Sequence, residues 1–228
     1  MPTDDATRLF PPIVLGSRSP RRLELLSFLV PRESIRVLPP DTADEPDFAG
    51  LHSLGEIRAR LAEIARLKSA NVLKQLRTSA LATAERPVVV CADTTIIAAD
   101  GGGSWQALGL PEETDDWRET VRGWFRELYA GRTHRAATGL FVATPDGREI
   151  EQIVETRVTF RSDVEPWLEW YLQTGEPLGK AGGYALQGAG SLFVTHLEGS
   201  QSNVIGLPLE ALLEIFAERL GFRNSPHE

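Results

Sequence analysis

Cysteine is almost absent from this chain of 228 residues, which holds Cys91 alone. A single thiol excludes an intramolecular disulfide and any multi-cysteine metal centre, and it suits a reducing compartment. Cys91 also has no histidine near it in sequence, so it reads as a small buried residue. His134 has no second histidine at ligand spacing and reads as structural. Basic residues are the minority, 24 against 32 acids, for a net charge of −8. That balance excludes the cationic surplus a general nucleic-acid binder needs, and no basic–aromatic stripe replaces it. No apolar run approaches the ~18 residues of a spanning helix. Met1 to Phe10 is acidic and polar rather than a charged-then-apolar signal. These absences lead us to expect a cytoplasmic protein with no membrane segment, in which the position of the cations matters more than their number.

What is present is an ordinary globular composition, 42% hydrophobic and 25% charged. Pro12 to Gly16 reads as a short buried strand. Ser19-Pro20 then opens a helix, serine at the N-cap and proline at the first helical position, with Leu23, Leu26 and Val30 as its stripe. Ser34 to Leu38 predicts a second strand, and Asp41 to Gly50 a loop. Ser53 to about Leu76 is the clearest helix, with Ile57, Leu61, Ile64 and Val72 on one face. Pro87 to Ala99 reads as a strand-pair candidate, Gly101 to Gly103 as a turn, and Thr114 to Tyr129 as a helix capped by Thr114 or Asp115. Two strands, Ala136–Thr144 and Ile150–Phe160, flank a Pro145-Asp146-Gly147 turn. Val164–Gln173 and Leu207–Leu220 predict helices, and Gly182–Thr195 is glycine-rich, then strand-like. Alternating helices and strands with a hairpin in the middle indicate an α/β protein with a mixed sheet. There is no internal repeat and no linker; Gln75–Glu85 reads as a surface excursion, and the five tryptophans as core and rim packing.

Four segments stand out chemically. Gly16-Ser17-Arg18-Ser19-Pro20-Arg21-Arg22 lies where a strand meets a helix N-terminus. It is either a phosphate cradle of free N–H groups, hydroxyls and arginines, or a capped helix with solvated arginines. Lys68 falls on the apolar stripe of its own helix, so it either snorkels outward or points into a site that wants a cation. Asp93 follows Val88-Val89-Val90, either at a strand's C-terminal end or within a buried strand. A carboxylate in so apolar a setting must be paired, hydrogen-bonded or bound to metal. Gly175 to Gly190 holds six glycines in sixteen residues together with Lys180 and Gln187, which suits close backbone approach to a ligand.

Taken in order, these segments resemble the Maf family of nucleotide pyrophosphatases. The matching elements are Ser17 to Arg22, Asp44-Glu45, Lys68, Ala92-Asp93-Thr94, Gly131 to Gly139, Gly175 to Gly188, and the tail Ser202 to Leu209. The resemblance covers Ile13 to about Leu220 and implies one domain over residues 1–228, with its core at about 12–220. It implies a fold similar to inosine triphosphatases: a long, bent mixed β-sheet flanked by helices, two lobes and a central cleft. It implies hydrolysis of nucleoside triphosphates, either dTTP and UTP or modified pyrimidine nucleotides, to monophosphate and pyrophosphate, with Mg²⁺ or Mn²⁺ and often as a homodimer. A link to septum formation comes with the family's name. On this reading Ser17, Arg21, Arg22, Lys68 and Lys180 take the phosphates, and Glu45 and Asp93 take the metal. Asp93 is also the candidate catalytic residue, so that it either holds the metal or takes the proton of the attacking water, and Arg21, Thr94 and Gln187 set specificity. One departure stands out: the family usually has Leu-Gly-Lys-Pro where this chain has Leu108-Gly109-Leu110-Pro111. Losing one charge-assisted phosphate contact costs about 1.5–3 kcal/mol. The chain is therefore expected to be either a pyrophosphatase weakened at Leu110 or a nucleotide-binding regulator of cell division. Arg18 is the cation expected to compensate.

Overall fold

In the computed structural model, residues 11–42, 45–78 and 86–220 are described. The expectations for Met1–Phe10, for Asp44 and for most of the Gln75–Glu85 excursion lie outside them. Seven strands form one mixed sheet in the order β2-β1-β3-β5-β6-β7, with β4 also beside β3. Here β1 is Ile13–Leu15, β2 Ile35–Val37, β3 Val88–Ala99, β4 Trp105–Leu108, β5 Thr133–Ala143, β6 Glu149–Phe160 and β7 Val194–Glu198. The helices are α1 (Pro20–Leu26), α2 (Leu54–Thr78), α3 (Trp117–Gly123), α4 (Glu165–Gln173), α5 (Gln201–Ile205) and α6 (Leu209–Leu220). β1 runs parallel to β2 and β3, and the remaining pairings are antiparallel.

Three expectations change. Val88–Ala99 is one twelve-residue strand rather than a pair, because β5 pairs along it from Val89 to Ile97, through the polar Asp93-Thr94-Thr95 interruption. The helix expected from Thr114 begins at Trp117, since Glu112 to Asp116 stays in locally bonded turns (Thr114 N–H to the Glu112 carbonyl, Trp117 N–H to the Thr114 carbonyl). From Trp124 to Tyr129 it continues as a π-turn, closed by a bond from Ala130 N–H to the Phe125 carbonyl. The glycine-rich segment becomes strand only at Val194. The Ser19 cap holds, its hydroxyl accepting from Arg22 N–H. Ser53 and Glu56 cap α2 reciprocally, a capping box.

β3 organises the molecule. Its pairing with β1 covers Val88 to Val90 and its pairing with β4 covers Ile96 to Ala99, both on the same edge, while β5 runs along the other. Residues 91–95 therefore lie in a gap between two partners. Side chains alternate across a strand, so Cys91 packs under α2 with Ala65 and Val72, whereas Ala92 packs with Leu25, Leu207 and Phe216 on the opposite face. α2 covers one face of the sheet from Val72 to Ile57. The other face carries two separate apolar clusters. One gathers around α1 and α6; the other, around α3 and α4, is centred on Phe125, Tyr171 and Phe160. Two lobes with a cleft between them result from that division. Gly139 on β5, opposite Asp93 in register, lets α2 settle on the sheet: a Cβ there would stand 2.6 Å from the Leu61 carbonyl oxygen.

Candidate active site

The cleft opens at the gap in β3's edge. Its main part, about 400 Å³, is lined by Arg21, Arg22, Glu45, Asp93, Thr94, Lys180 and Gln187, with Leu110 on the wall. An adjoining part of about 380 Å³ is bounded by Ser17, Arg18 and Lys68 and shares Ser19, Arg22 and Glu45 with the first. Every site residue expected from the sequence thus borders one continuous depression, although the cations come from positions as far apart as 18 and 180.

Lys68 points into the cleft rather than out of its stripe. Its Nζ lies 2.5 Å from Asp93 Oδ1 and 3.0 Å from Glu45 Oε2, and only 12% of its side chain is exposed. Asp93 stands in mid-strand, not at a strand end, on the α2 side of β3. The next residue, Thr94, faces the other way and meets Arg22. The Arg22 guanidinium donates to Gly206 O at 2.9 Å, Thr94 Oγ1 at 3.1 Å and Ser17 Oγ at 3.2 Å. Burial lowers its pKa from the ordinary arginine value, Asp93 opposing the shift and Arg21 adding to it. Thr94 Oγ1 also meets Thr138 Oγ1 at 2.9 Å and Gly206 O at 3.2 Å. Thr94 Oγ1 thus has three protein partners, Arg22 among them.

Arg21 reaches the Gly179 carbonyl at 3.4 Å, and Lys180 the Leu178 carbonyl at 3.4 Å. Desolvation, then the nearby Arg21, lowers the Lys180 pKa, which marks two cations gathered in the same space. Gln187 is exposed on the cleft wall. Arg18 donates to the Pro40 carbonyl and borders the adjoining part, so it does not stand beside Leu110. Leu110 is 63% exposed. Sequence reasoning missed the Gly206 carbonyl, which orients both Arg22 and Thr94, and the apolar walls supplied by Phe48, Leu186 and Ile205. The signal for Gly206 was its place in the Ser202–Leu209 tail.

Two residues set aside as structural are so placed. His134 is fully buried, its Nε2 2.8 Å from Tyr184 Oη, and burial pushes its pKa down to about 3. The Cys91 thiol is buried and pushed up to about 12.

Among the described residues no three His, Cys, Asp or Glu side chains gather as a metal cage. Glu45 and Asp93, both within reach of one ammonium, form a two-carboxylate donor set. That set fits a hard divalent ion that completes its shell with phosphate oxygens and water.

Fold and site together define an α/β protein whose cations and carboxylates meet in one cleft at an open sheet edge. A family model described as Maf-like protein matches residues 12–219, and the chain belongs to that family. It is 35% identical over 230 residues to a protein of Granulibacter bethesdensis named dTTP/UTP pyrophosphatase, covering 98% of this chain and 99% of that one. Proteins of the same name from Anaeromyxobacter sp. and Pyrococcus horikoshii are 35% and 32% identical, over 89% and 92% of this chain and 87% and 97% of theirs. A solved nucleoside-triphosphatase / dITP/XTP pyrophosphatase from Mycobacterium abscessus aligns at a TM-score of 0.36 and 14% identity, covering 66% of this chain and 73% of that one, too slight a likeness to argue from.

Proposed function

We propose that this chain hydrolyses nucleoside triphosphates, dTTP and UTP foremost, to the monophosphate and pyrophosphate. The observation that carries the reading is the convergence of Arg21, Arg22, Lys68 and Lys180 with Glu45 and Asp93 on one cleft, in a chain of net charge −8. Relatives named dTTP/UTP pyrophosphatase support the substrate class.

In this reading water attacks the α-phosphorus, the bridging bond from the α-phosphorus to the β-phosphate oxygen breaks, and pyrophosphate leaves. Asp93 orients the water and takes its proton. Arg21, Arg22, Lys68 and Lys180, with the Ser17 hydroxyl, bind the triphosphate and offset charge on the leaving group. Glu45 and Asp93 would hold a divalent cation, Mg²⁺ or Mn²⁺; such an ion neutralises phosphate charge and polarises the P–O bonds. Gln187 offers a donor and an acceptor to the base edge, while Arg21 and, through Arg22, Thr94 fix where the nucleotide sits. The same proposal takes residues 12–220 as one catalytic domain, cytoplasmic and homodimeric; sedimentation equilibrium tests the last.

The test is pyrophosphate release from dTTP, UTP, CTP and the purine triphosphates with Mg²⁺, by wild type and Asp93→Asn. Release should be fastest with dTTP and UTP and fall by about 10²–10⁴-fold in the variant. Unchanged turnover in the variant removes Asp93 from the chemistry, and no release from any triphosphate removes the hydrolytic reading. Leu110 favours a second reading, a nucleotide-binding regulator. Its mark would be thermal stabilisation by dTTP without pyrophosphate release.

A further inference from the structure

The glycine-rich segment 175–190 presents Lys180 and Gln187 to the cleft, yet glycine is poor at holding any shape. What holds it lies underneath. The Glu176 carboxylate reaches across the base of the segment, Oε2 accepting from Ala189 N–H at 2.7 Å and Oε1 from Gly190 N–H at 2.9 Å. Tyr171 donates to Glu176 Oε1 at 3.1 Å and lies within 3.1 Å of the Gly183 carbonyl. Tyr129 donates to the Gly182 carbonyl at 2.9 Å. Gly188 is shaped to this carboxylate: a Cβ there would stand 2.3 Å from Glu176 Oε2, although its φ of −125° suits any residue.

We infer that Glu176 is a positioning residue, a clamp that closes the 175–190 segment and thereby sets Lys180 and Gln187 at a fixed separation for one nucleotide. Closing the segment at residues 176 and 189–190 joins the turn before Lys180 to the turn after Gln187. One carboxylate therefore fixes both the cation and the amide. The clamp touches neither Asp93 nor Lys68, which stand on β3 and α2. Its loss should weaken nucleotide binding and blur base choice more than it slows the chemical step. The kinetic part rests on the pyrophosphatase reading; the clamp itself does not.

Two arms test it. Hydrogen exchange without nucleotide should show Ala189 and Gly190 protected in wild type. Glu176→Gln and Gly188→Ala should each release the segment from 178 to 190 and leave β3 and β5 unchanged. Unchanged exchange in that segment overturns the clamp, and this arm holds even if wild type hydrolyses nothing. In the kinetic arm each variant should raise KM for dTTP about tenfold or more, with kcat changing less, and should narrow the preference for dTTP over CTP. Since Gly188→Ala acts by displacing Glu176, Glu176→Ala with Gly188→Ala should be no worse than Glu176→Ala alone. Additive losses, or a fall in kcat at unchanged KM and unchanged base preference, would overturn the positioning role.

Discussion

Lys68 and Asp93 show how far single residues can be read before their surroundings are known. Each carried two readings in sequence, because a lysine on an apolar stripe and an acid after three valines are anomalies whose resolution lies in another element. The 2.5 Å contact between them resolves both. Leu110 is the opposite case, visible in the sequence as a missing charge and left by the structure as an exposed apolar side chain on the wall of the cleft that Lys180 also lines. Leu110→Lys should add a phosphate contact without disturbing the core, lowering KM for dTTP about three- to tenfold in steady-state assays. An unchanged or higher KM would show that the position does not face the phosphates. His134 gives a prediction about stability. Its folded pKa of about 3 lies below the ordinary histidine value, so the unfolded chain binds the proton first as pH falls. The neutral ring's contribution is complete above about pH 6.5 and erodes between there and about pH 3. Urea unfolding should therefore lose about 2 kcal/mol from this group between pH 7 and pH 5. His134→Gln should remove that share of the pH slope.

At the scale of elements, periodicity and capping located most of the secondary structure, because α1, α2 and the β5–β6 hairpin are fixed by local chemistry: a serine cap, a 3.6-residue stripe and a Pro-Asp-Gly turn. Where the reading failed at β3, something distant decides. β3 stays one strand because β5 pairs along it from Val89 to Ile97 whatever its polarity. α3 starts at Trp117, itself buried, because the residues before it are held in turns bonded to one another. Helix-to-sheet spacing is likewise invisible in sequence. At Gly139 it is set by the absence of a side chain, since α2 lies with the Leu61 carbonyl against that position. Gly139→Ala must lift or tilt α2, at a cost of about 1–3 kcal/mol of stability by the usual magnitude of overpacking. Because Lys68 rides two turns further along α2, turnover should fall as well, by more than the lost stability accounts for under conditions where the variant is folded. Calorimetry paired with the pyrophosphate assay would show it. A variant as stable and as active as wild type would mean that α2 is held less closely than the Leu61 contact implies.

For the molecule as a whole, the question is how an acidic protein holds a polyanion. Its cations stand at 18, 21, 22, 68 and 180 along the chain, and only the order of motifs hinted that they meet. Their convergence is a property of the sheet, which leaves β3 unpaired between β1 and β4 and lets α1, α2 and the 175–190 segment reach the same gap. The acidic remainder of the surface repels a nucleotide at long range, while the cleft attracts it at contact distance. Salt screens the first more than the second, since the Debye length is about 10 Å at 0.1 M and 3 Å at 1 M. A surface-spread nucleic-acid binder with six to ten phosphate contacts loses about 10³–10⁵ in affinity between 50 and 200 mM salt. Here KM for dTTP should rise by less than about tenfold over the same range, because the repulsion being screened offsets part of the attraction being lost. Single-stranded DNA should not compete, since a cleft of about 400 Å³ has no room to seat several of its phosphates and the chain's net charge of −8 repels the rest. A steep salt dependence, or inhibition by an oligonucleotide at concentrations near KM, would mean that the cations work as an open surface rather than as a pocket.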